Sequence, residues 1–207
     1  MGVFLEIVFS GLFQGSLYAV MAVGLALVWT TIGVFNFCHG VFMTLGAYVA
    51  WQFVAAEGFE LPLALGLPLC LLTVAALGWL LQATVVRPFI GRKDIVLVVV
   101  ITTLAAASLL ENGALELWGP RAKQLPPLAG GTVDILGLGA STHQLVIILV
   151  TPVLLALLWL LLNRTRLGLA LRAVAQNEDA GKLVGLNVTA LYGLAFALAA
   201  VLAGCVG

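Results

Sequence analysis

The sequence predicts an all-α, polytopic integral membrane bundle of about six transmembrane helices. Three observations carry that expectation. Hydrophobic residues make up 63% of the 207, and the mean hydropathy is +1.19. Charged residues make up only 9%, whereas a soluble domain carries about a quarter. The charges are also clustered, so that residues 7–56, 61–86, 95–110, 135–163 and 183–207 hold no Asp, Glu, Lys or Arg. This composition excludes a disordered chain and a secreted disulfide scaffold. The zero net charge leaves no basic excess to meet phosphates, so no nucleic-acid partner is expected. The expected partner surface is the lipid bilayer.

A helix needs about 20 apolar residues to cross a bilayer. The first charge-free run is long enough for two crossings, and each of the others for one. The spans fall at about 7–31, 40–56, 61–86, 94–113, 143–163 and 190–207. Residues 145–162 do not alternate polar with apolar, as a barrel strand would. The first span has no basic leader and too long an apolar run for a cleaved signal peptide.

Lys and Arg set the orientation. Arg87, Arg92 and Lys93 share one loop, and Arg164, Arg166, Arg172 and Lys182 share another two spans later. Both loops are assigned to the cytoplasm. Residues 114–142, with Arg121 and Lys123, and residues 57–60, with Glu57 and Glu60, then lie outside. Counting back places the N-terminus outside, or inside if 40–56 re-enters without crossing. The outer 114–142 loop carries Pro120, Pro126, Pro127, Gly130, Gly131, Gly137 and Gly139. Within it, residues 132–136 read as a short strand, hairpinned with the residues after it.

Cys38, Cys70 and Cys205 lie in apolar stretches with no paired spacing. They read as small buried hydrophobes, and no metal site or cofactor is expected.

Three segments stand out. Asn36-Phe37-Cys38-His39-Gly40 interrupts the longest apolar run, and Gly33, Asn36 and Gly40 loosen helical geometry there. Unwound backbone at membrane depth needs protein or a hydrated cavity around it, and broken helices of this kind line transport paths. A turn at the cytoplasmic interface is the competing reading. Gly11 and Gly15 in span 1, with Gly24 and Gly46 further on, give smooth faces for close helix packing. Residues 164–189 divide into two short helices. Leu169, Ala173 and Gln176 share a face of the first, and Leu183 continues it. Asn177 caps the second, with Glu178 and Asp179 in its first turn, and Gly185 ends it in a left-handed conformation. Such a helix pair is a protein-docking surface. A solvated loop is the alternative.

The chain has no GxxxxGK[ST], no G-x-S-x-G and no HExxH. It carries no nucleotide-binding loop and no catalytic apparatus, so it reads as a transport subunit rather than an enzyme.

Asn36-Phe-Cys-His39-Gly40-Val-Phe-Met43-x-Leu45-Gly46-Ala47-Tyr48 resembles the early motif of the branched-chain amino acid ABC-transporter permeases, the LivH type. Arg172-Ala173-x-Ala-Gln176-Asn177-x-x-Ala180-x-x-x-Gly185-x-Asn187 is similar to that family's cytoplasmic coupling loop. Arg87-Pro88, Ile101-Thr-Thr103 and Glu111-Asn112 fall between them in the family's order. The family's acidic residue after His-Gly is Val41 here.

The resemblance implies a permease subunit of a bacterial inner-membrane importer for branched-chain amino acids. Its partners would be a second permease subunit, two cytoplasmic ATPases that hydrolyse ATP, and a periplasmic amino-acid-binding protein. Residues 1–207 would form one transmembrane permease domain containing the 164–189 coupling loop. Arg172, Ala173, Gln176, Asn177, Ala180 and Gly185 would meet an ATPase. Asn36, His39, Gly40 and Gly46 would lie in the membrane core near the path. Family members continue past this loop with further spans, so a chain ending at Gly207 reads as truncated. A permease for urea, amides or sugars, and a self-contained channel or carrier, are the alternatives.

Overall fold

The structure, a computed structural model, describes residues 2–55, 58–121, 123–125, 132–135 and 138–207. Its helices are α1 (Gly2–Ile32), α2 (His39–Val54), α3 (Leu63–Leu81), α4 (Ile95–Trp118), α5 (Thr142–Arg164), α6 (Arg166–Gln176), α7 (Glu178–Leu183) and α8 (Val188–Val206). A π-turn at Gln82–Val86 and a short 3-10 turn at Arg87–Phe89 extend α3. Five segments have the length and apolarity to cross a membrane: Phe4–Ile32, Leu63–Phe89, Ile95–Trp118, Thr142–Arg164 and Val188–Val206.

The second expected span, 40–56, is α2 to within two residues at each end. α2 has 16 residues, about 24 Å at 1.5 Å per residue, which is short of a hydrocarbon core of about 30 Å. The missing length is supplied by residues 33–38, which are not helical.

α8 is the hub. In its most apolar window 61% of residues are buried, against 22% or less in the other four spanning segments. Between helices in lipid there is little hydrophobic drive, so packing depends on small residues that let backbones approach. α8 supplies them: Gly193, Ala195, Ala197, Ala199, Ala200 and Ala203 are all buried. α3 lies against it antiparallel, with Trp79 against Gly193, Gly78 against Ala200 and Val74 against Gly204. α1 is also antiparallel, with Gly24 beside Ala199 and Val20 clustered with Leu202 and Leu158 of α5. α2 and α8 also approach closely, so that a Cβ on Gly46 would come 2.5 Å from the Gly204 Cα. Gly11 and Gly15 pack on nothing within the described chain, because a Cβ at either would meet open space.

The 3-10 turn, α6, α7, the last turn of α5 and the first turn of α8 gather at one end. There Leu171, Val174, Val188, Leu191 and Tyr192 form a second apolar cluster with Ile32, Ile90 and Leu162. Arg87, Arg92, Lys93, Arg164, Arg166, Arg172 and Lys182 all belong to segments at this basic end. At the opposite end Lys123 lies 4.1 Å from the centroid of the Trp51 ring, a cation–π contact. That end also holds the antiparallel hairpin of β1 (Thr132–Ile135) and β2 (Leu138–Ser141), as the sequence predicts. Leu136 of the expected strand, Glu57 of the 57–60 loop, and Pro126, Pro127, Gly130, Gly131 and Gly137 lie outside the described residues.

The α2–α8 contact gives a signed prediction. Gly46→Val places a Cβ against backbone that no rotamer change can move, and should lower stability by about 1–3 kcal/mol. Gly40→Ala enters open space at the start of α2 and should be neutral or stabilising by up to about 1 kcal/mol. Thermal unfolding of both purified variants in one detergent checks the opposite signs.

Candidate functional site

Two places concentrate the polar chemistry. The first is the break between α1 and α2. Its side chains alternate: Val34, Asn36 and Cys38 are buried, while Phe35 and Phe37 are exposed, the period of an extended segment. The backbone finds partners one by one. Gly33 N–H donates to Trp29 O at 2.8 Å, Cys38 N–H to Asn36 Oδ1 at 3.1 Å, and His39 N–H to Asn36 O at 3.2 Å. Phe37 N–H donates to Thr103 Oγ1 of α4 at 3.3 Å, and the Cys38 thiol to Thr103 O at 3.0 Å.

The break is deep. The His39 ring sits against Gly24 of α1, where a Cβ would come 2.7 Å from His39 Cε1 and 3.4 Å from Ala199 O. Ala199 lies about 16 Å along α8, a helix of about 28 Å. The segment therefore runs from Ile32, in the apolar cluster at the basic end, into the bundle at His39. His39 Nε2 is 3.0 Å from Met21 O. A carbonyl only accepts, so Nε2 carries the proton and Nδ1 is left as a lone-pair acceptor. That Nδ1, Asn36 Nδ2 and Gln82 Nε2 are buried without a hydrogen-bond partner.

The structure thus brings Asn36, His39 and Thr103 together. Gly46 lies two turns further along α2, packed on Gly204, and Gly40 is exposed. Gln82, only 1% exposed at the head of the π-turn, was not singled out by sequence. π-turns mark functional sites more often than ordinary helix does, but no sequence pattern announces one. On α4, Glu111, Asn112 and Glu116 lie on the exposed side.

The second place is the α6–α7 pair at the basic end. Thr165 caps α6 by accepting from Gly168 N–H at 3.1 Å. Asn177 caps α7 by accepting from Ala180 N–H at 2.9 Å. α7 stops as the sequence predicts. Gly185 has φ +83°, Gly185 N–H donates to Lys182 O, and Leu186 N–H donates to Gly181 O, both at 3.0 Å, a Schellman stop.

Gly168, Leu171 and Val174 form the buried stripe of α6. Leu169 and Gln176 are exposed and Ala173 is half-buried, so the face chosen from sequence points mostly away from the bundle. Arg172 is exposed and donates from Nη1 to Asn163 Oδ1 at 3.0 Å. Ala180 is exposed. Leu183 and Val184, at 89% and 77% exposure, form an apolar tip in the open. Glu178 takes Lys182 Nζ at 2.7 Å on Oε1 and the Tyr192 hydroxyl at 3.0 Å on Oε2. Hydrogen bonding to the Lys182 ammonium holds the Glu178 carboxyl below the usual carboxylate range.

The family described as branched-chain amino acid transport system / permease component matches residues 7–207. The chain belongs to that family. It is 29% identical to the high-affinity branched-chain amino acid transport system permease protein LivH of Escherichia coli (strain K12), over 99% of this chain and 69% of that protein. It is 27% identical to the permease protein BraD of the corresponding Pseudomonas aeruginosa system, over 97% of this chain and 68% of that one. The galactofuranose transporter permease protein YtfT of E. coli (strain K12) is 28% identical over 91% of this chain and 51% of its own length. No solved structure matches. The five spanning helices and the family place this chain among multi-pass membrane permeases.

These local geometries can be tested one at a time. Thr103→Val removes the acceptor that Phe37 N–H uses and should cost about 1–3 kcal/mol, whereas Thr103→Ser keeps it and should cost less. Unfolding of the pair in detergent reads the difference. Gly185→Ala forces a Cβ into the left-handed region, at about 1–2 kcal/mol. It should speed amide exchange at Leu186, whose N–H closes the turn.

Proposed function

We propose that this chain is a membrane-spanning permease subunit of an ATP-binding-cassette importer for branched-chain amino acids in the bacterial inner membrane. The partners are a second permease subunit, two cytoplasmic ATPases and a periplasmic amino-acid-binding protein. The basic end faces the cytoplasm, by the bias of Lys and Arg, and α6 and α7 are the coupling surface. The observation that carries this reading is the apolar tip of Leu183 and Val184. It stands exposed, as does Leu169, on a helix pair capped at both starts and anchored beneath by Leu171 and Val174. Exposed apolar side chains on a rigid cytoplasmic support suit a groove on a partner.

ATPase closure then moves the helix pair as a body, and the spans alternate access. The path runs by the α1–α2 break. A branched-chain amino acid is a zwitterion with an apolar side chain, so few charged groups are needed. Asn36 Nδ2 as donor and His39 Nδ1 as acceptor suit a carboxylate and an ammonium respectively. Each is unpaired in this conformation at a cost of about 1–3 kcal/mol, which favours a second conformation where it is met. The LivH and BraD relatives belong to branched-chain amino acid transport systems, which supports this choice of substrate.

The test is co-purification from the native membrane. The wild-type chain should bring an ATPase and a second permease. Leu183→Asp with Val184→Asp should lower the ATPase recovered by on the order of tenfold, equivalent to about 1.4 kcal/mol of docking, with the second permease still present. Full ATPase recovery with the double variant would remove the docking role from this tip.

A further inference from the structure

We propose that the hydrogen bond from Tyr192 to Glu178 is the link that carries movement of α7 into α8, which makes Tyr192 a positioning residue for transport. The proposal rests on the ATP-driven reading above and names the residue through which that reading works.

α7 is weakly held. Of its six residues only Gly181 is buried, lying against Val174 of α6 and Leu186. Among the described residues, no other side-chain hydrogen bond joins α7 to a transmembrane helix. The apolar cluster anchors α6 on α8 and includes no residue of α7. A charge-assisted hydrogen bond is short, directional and about twice as strong as a neutral one.

Tyr192 sits in the second turn of α8, with 3% of its surface exposed. Phenylalanine would fill that place as well by volume. The hydroxyl is therefore what packing does not explain, and a buried tyrosine hydroxyl takes a hydrogen-bond partner. Its partner is Glu178 Oε2 at 3.0 Å. Glu178 is itself fixed from the other side, with Lys182 Nζ 2.7 Å from Oε1. The carboxylate stays ionised at neutral pH, because the Lys182 hydrogen bond lowers its proton affinity.

Downstream of Tyr192 the same helix packs on α3, on α2 and beside the His39 ring. Phe196, Ala199 and Ala200 pack on α3 and beside His39, and Gly204 packs on Gly46 of α2. A rigid displacement of α8 therefore reaches the α1–α2 break directly. Arg172 to Asn163 is another polar tie of the helix pair. It joins exposed groups and ends on α5, outside the hub.

The experiment uses the complete transporter, purified with its own ATPases and second permease and reconstituted in liposomes. ATP hydrolysed and radiolabelled leucine taken up are measured together. Tyr192→Phe keeps the ring and removes the hydroxyl. It should raise ATP consumed per leucine transported roughly fivefold or more, the low end of an ordinary coupling free energy, while the ATPases still co-purify. Glu178→Ala, a change at a partly exposed cytoplasmic position, should do the same. Because both remove one bond, the double variant should be no worse than either single one. A wild-type ratio in Tyr192→Phe, or additive effects in the double variant, would overturn the proposal. A wild-type chain that purifies without ATPases would overturn the ATP-driven reading itself, which is a different failure.

Discussion

Backbone that leaves helical geometry inside a bilayer has no water to bond, so the protein must supply every partner. In residues 33–38 the chain supplies partners for the Gly33, Phe37 and Cys38 amides. Thr103 of α4 receives the Phe37 amide, Asn36 folds back on Cys38, and Met21 of α1 receives the His39 ring. Gly24 is a glycine because the ring needs its space. Breaking a span is costly, and the partners that make it possible come from the neighbouring helices and from the segment itself.

The second constraint is the absence of hydrophobic drive between helices in lipid. α8 answers it with small residues on several faces, and α1, α2 and α3 close around it. Their backbones come near enough that Gly46, Gly78 and Gly193 tolerate no larger side chain without movement. A close-packed hub passes displacement to its neighbours instead of absorbing it. In this fold the hub also begins at the α6–α7 pair, so that pair and the broken span share one element.

Much of this was legible in the residues. Charge-free runs located five spans because Lys, Arg, Asp and Glu mark the exits. The run from 7 to 56 has no charge to divide it, yet the break was placed to within two residues of where α1 ends and α2 begins. Gly33, Asn36 and Gly40 announced the break, and Asn177 and Gly185 announced the limits of α7, since capping and left-handed stops are local chemistry. The depth of the break was not legible, because it depends on Ala199 and Thr103, both far along the chain. Nor was the buried face of α6, since Leu169 and Leu171 are equally apolar and only packing on α8 selects Leu171. The Tyr192–Glu178 bond and the π-turn at Gln82 are tertiary facts with no local signature.

The packing of α1, α2 and α4 around the break requires the Phe37 and Cys38 amides to be held by protein within the bundle. Amide hydrogen exchange of the chain in lipid nanodiscs, read at Phe37 and Cys38, tests that placement. Exchange should be slowed at both positions to the level of the flanking helices, because Thr103 and Asn36 hold those protons. Exchange within seconds, as at a turn on the water interface, would contradict it.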